Sequence, residues 1–169
     1  MGLFNKNTKV TPQQMGGILY AIGEEQSNFM TNSLNELLEN RQIDSDAAFL
    51  IPVMYNFFLY IIPLTEKYQR STVSDVLDMG FGIMQRANSE NRYIDEGSFI
   101  PVYKQMVDIL SNPYIDEFNN PYHYLTKYYL EKVYGEGFAN VVALLFVRES
   151  FGNLATNCEN VLEEYEIIG

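Results

Sequence analysis

Residues 47–64 read AAFLIPVMYNFFLYIIPL, eighteen positions without a formal charge. A helix of that length is about 27 Å long at about 1.5 Å per residue, just short of the hydrocarbon thickness of a bilayer, so length admits either a membrane span or the centre of a bundle in water. The side chains decide between them. Pro52 and Pro63 each remove a main-chain hydrogen bond and bend the axis, and Asn56 and the hydroxyls of Tyr55 and Tyr60 need partners that lipid tails do not supply. The flanks are Asp44 and Asp46 on one side and Glu66-Lys67 on the other, without the basic cluster that orients a span. The stretch is expected to form a kinked core helix over 45–70, with the remaining helices packed around it.

Caps and periodicity mark those helices. Thr11-Pro12-Gln13-Gln14 combines a capping threonine, a proline suited to the first helical position and a glutamine placed to reach back, and the apolar positions Met15, Leu19, Ile22, Phe29, Met30, Leu34, Leu37 and Leu38 continue the helical spacing to about residue 39 with one slip at Gln26. Gly16 and Gly23 lie seven apart, on one face, where a neighbouring helix can come close. Further helices are expected from 71 to about 88, from 98 to 110 and from 122 to 134, with a polar loop over 88–97 and a short helical turn after Asn112-Pro113. VVALLFV at 141–147 could be a buried strand, but no other segment offers a pairing strand, so a buried helix is expected over 138–151, ended by Gly152 and followed by an amphipathic helix from Leu154 to Tyr165. The expected fold is all-α, a single-domain bundle of six or seven mostly antiparallel helices over 11–169, without strands and preceded by a flexible segment 1–10.

Twenty-two acidic residues against eleven Lys and Arg give a net charge of −11. Phosphate backbones and anionic lipid surfaces are bound by clustered cations, so neither nucleic acid nor a membrane surface is expected as a partner. A protein with a basic surface, or a second copy of the chain, fits better. Cys158 is the one cysteine and cannot form an intramolecular disulfide; no secretory leader is visible, and Lys6 stands where a myristoylation pattern needs Ser or Thr. A cytoplasmic protein is expected.

The residues that carry most chemistry are scarce. Di-iron bundles need two Glu-x-x-His motifs and structural zinc needs four Cys or His, whereas this chain has one of each, so no metal and no cofactor is expected. His123 lies in a helix first turn, where the dipole disfavours the imidazolium, and Cys158 falls on an apolar stripe; no catalytic residue is assigned. Gly80-Phe81-Gly82 and Gly135-Glu136-Gly137 begin a nucleotide-binding pattern that neither completes.

Two functional readings follow. In the first, the chain is a non-catalytic adaptor, regulator or immunity-type inhibitor. It presents a tyrosine-rich helical surface of Tyr122, Tyr124, Tyr128 and Tyr129, because tyrosine offers a large contact area at low entropic cost. In the second, the chain binds a small apolar ligand, or is an enzyme acting on one, in a pocket between the 47–64 and 138–151 helices, where Asn56, Tyr60, Asn140, Arg148 and Glu149 orient it.

Overall fold

The computed structural model describes residues 7–39, 44–86, 96–111 and 121–168, with the backbone alone at 96–98 and 121–122. Among these residues six helices form an all-α bundle: α1 Pro12–Leu37, α2 Ser45–Lys67, α3 Arg70–Arg86, α4 Glu96–Leu110, α5 Pro121–Tyr134 and α6 Val141–Glu164. The expected polar loop and the turn after Asn112-Pro113 lie largely outside the described residues.

α2 is the axis of the bundle. Leu50 to Phe57 are buried without interruption. Two turns of helix covered all round require neighbours on every side, and α2 touches each of the other five helices. It is also the one helix among the described residues long and apolar enough to cross a membrane, and it is mostly covered by its own chain. Asp44 caps it, its Oδ1 accepting from the main-chain N–H groups of Asp46 (3.1 Å) and Ala47 (3.0 Å).

Both prolines lie inside α2. A proline cannot donate to the carbonyl four residues before it, so Pro52 leaves Ala48 and Pro63 leaves Leu59 without the usual helix partner. Neighbouring helices supply the missing donors. The Ser27 hydroxyl of α1 donates to the Ala48 carbonyl at 3.1 Å, and the Cys158 thiol of α6 points at the Leu59 carbonyl at 3.6 Å. Two sequence features that would break an isolated helix thus become the points where α1 and α6 are tied to it.

Thr11 and Gln14 close the expected capping box on α1, with Thr11 N–H donating to Gln14 Oε1 (2.8 Å) and Gln14 N–H to Thr11 Oγ1 (3.2 Å). The two glycines of α1 mark close approaches to two different helices. A Cβ at Gly16 would strike the Val76 carbonyl of α3, and one at Gly23 would lie 2.9 Å from Val53 Cα of α2. Because the backbones approach so closely at Gly23, Asn56 reaches across and its Nδ2 donates to the Leu19 carbonyl at 2.7 Å.

Three expectations are corrected. Thr8–Val10 and Tyr165–Ile167 form short strands β1 and β2, paired in parallel with Val10 opposite Ile167, so residues 8–10 of the supposedly flexible segment are tied to the end of α6. Gly152 does not end a helix: α6 runs through it without a break to Glu164. Burial of Phe151, Leu154 and Cys158 on either side outweighs the cost of about 1 kcal/mol that a mid-helix glycine carries relative to alanine. Finally, 141–147 is not fully buried, as described next.

Candidate functional site

Asn140 starts α6, its Oδ1 accepting from the Ala143 N–H at 3.0 Å. From there Ala143, Val147, Ser150, Phe151, Leu154 and Cys158 turn into the bundle. The opposite face carries apolar side chains into solvent: Val141 is 74%, Val142 59% and Leu145 58% exposed. Phe29 of α1, 54% exposed, extends this patch, its ring centroid 5.8 Å from that of half-buried Phe146. Apolar side chains scattered singly over a surface are ordinary, whereas adjacent ones on a single face mark contact surfaces.

The chemistry of that face changes along the helix. After Val141, Val142 and Leu145 come exposed Arg148 and Glu149, which form no ion pair among the described residues. Next is a shallow groove of about 570 Å³ along Glu149, Gly152, Asn153, Ala155, Thr156 and Glu159. Among the described residues a Cβ at Gly152 would meet nothing within 4 Å, so no contact there accounts for a glycine at this position. Exposed Glu159, Glu163 and Glu164 follow, while the first turn of α6 has no acidic residue to set against the positive end of its dipole.

The tyrosines of α5 do not share one surface. Tyr124 is exposed beside exposed His123, with ring centroids 5.9 Å apart. Tyr128 is half-buried, the Lys132 ammonium lies 5.8 Å from its ring centroid, and burial pushes its phenol up to about 12. Tyr129 is fully buried, its ring edge-on to Phe151 at 5.8 Å. The side chain of Tyr122 lies outside the described residues. Leu125, Tyr129 and Val133 form the core face of α5.

The five residues assigned to a ligand pocket are likewise dispersed. Asn56 and Tyr60 are completely buried in α2, Asn140 is occupied as the cap of α6, and Arg148 and Glu149 point to solvent. Asn140 also borders a separate shallow cleft of about 250 Å³, lined by Leu37, Leu38, Glu39, Phe138 and Ala139. The buried Cys158 thiol, its pKa raised by desolvation, stays protonated beside the Leu59 carbonyl. Gly135 and Gly137 have φ of +103° and +75°, so this Gly-x-Gly shapes the turn between α5 and α6.

The α6 face was missed because an unbroken apolar run reads as burial on all sides. Another reading was available: only α2 can occupy the axis of a bundle this size, and a peripheral helix that is apolar all round must leave part of its circumference uncovered. Comparison with protein-family models, curated proteins and solved structures finds no match for this chain.

Proposed function

We propose that this chain is an acidic, cytoplasmic interaction protein, an adaptor, regulator or inhibitor, and that it works by presenting the outer face of α6 to another protein chain. The observation that carries this reading is the exposure of Val141, Val142 and Leu145 on one face of α6, with exposed Phe29 of α1 packed on Phe146 of the same helix. Solvated apolar surface of this kind is stabilised when a partner covers it, at about 25 cal/mol per Å² removed from water. The charge of −11 favours protein partners over phosphate-bearing ones, and a single buried thiol suits a reducing compartment.

Affinity capture tests the reading. The tagged chain and its Leu145→Glu variant are each cross-linked in cells that express it, and the captured chains, including untagged copies of itself, are compared. Leu145 is exposed, so the variant retains its fold, and at least one chain bound by the wild type should be lost. Identical captured sets would contradict the proposal.

A further inference from the structure

We draw no further inference here: the strongest candidate, the exposed apolar face of α6 formed by Val141, Val142 and Leu145, belongs to the site already described, and nothing in the structure shows what covers it.

Discussion

Ser27 and Cys158 stand where two prolines would otherwise leave main-chain carbonyls bare inside the bundle. A buried acceptor without a donor costs about 1–3 kcal/mol, so Ser27→Ala should lower the stability of the chain by about that much, read as a shift in urea midpoint at unchanged slope. Cys158→Ser should lose less than Cys158→Ala, because the hydroxyl keeps a donor near the Leu59 carbonyl. A Ser27→Ala variant as stable as the wild type would show that the Ala48 carbonyl is satisfied in some other way. Tyr128 and Tyr134 add a pH dependence. Burial pushes both phenols from 10.0 up to about 12, so the folded chain favours the protonated forms. Their contribution is complete below pH of about 10 and is lost as the pH rises through about 12. Urea midpoints should therefore hold steady to about pH 9.5 and fall above it, and Tyr128→Phe should flatten the fall.

At the scale of elements, two helix glycines that look equivalent in sequence do different work. Gly23 lies against Val53, and a methyl group there would force α1 from α2 and strain the Asn56–Leu19 hydrogen bond, whereas Gly152 has open space beside it. Gly23→Ala should destabilise by about 1–3 kcal/mol. Gly152→Ala should stabilise the chain by about 0.5–1 kcal/mol, the ordinary difference in helix propensity. Chemical denaturation reads both, and equal signs would contradict the distinction.

Much of the architecture was legible from caps and breakers. Thr11-Pro12, Asp44 and Asn120-Pro121 locate helix starts that agree with the structure within a residue or two. The close approach at Gly23 and the central position of α2 also followed from spacing and composition. What could not be read depended on partners distant in sequence. Strand Thr8–Val10 exists because Tyr165–Ile167 lies beside it, and continuation through Gly152 depends on burial contributed by other helices. The candidate surface was the least legible part. Tyrosine count identifies a residue type suited to interfaces, but which rings face outward is set by the packing of α5, and there Tyr129 turned inward while Tyr124 stayed out.

For the whole molecule, a charge of −11 and an exposed apolar face pull in opposite directions. Like net charge resists self-association over distances comparable to the Debye length, about 8–10 Å at physiological salt, while contacts in the α6 face act at closer range. A second set of exposed apolar side chains, Ile62, Ile100 and Tyr103, borders the cluster of Phe58, Phe81 and Phe99 on the α2–α4 side. It lies on other helices and serves as an internal reference. Methyl-resolved NMR during titration with a chain captured by the wild type tests the α6 surface most directly. On addition of that chain, the methyl signals of Val141, Val142 and Leu145 should shift together along one binding curve while those of Ile62 and Ile100 stay in place. Signals from α6 that do not respond to the added chain, or a response centred on Ile62 and Ile100, would contradict the assignment of the α6 face as the place where a partner chain binds.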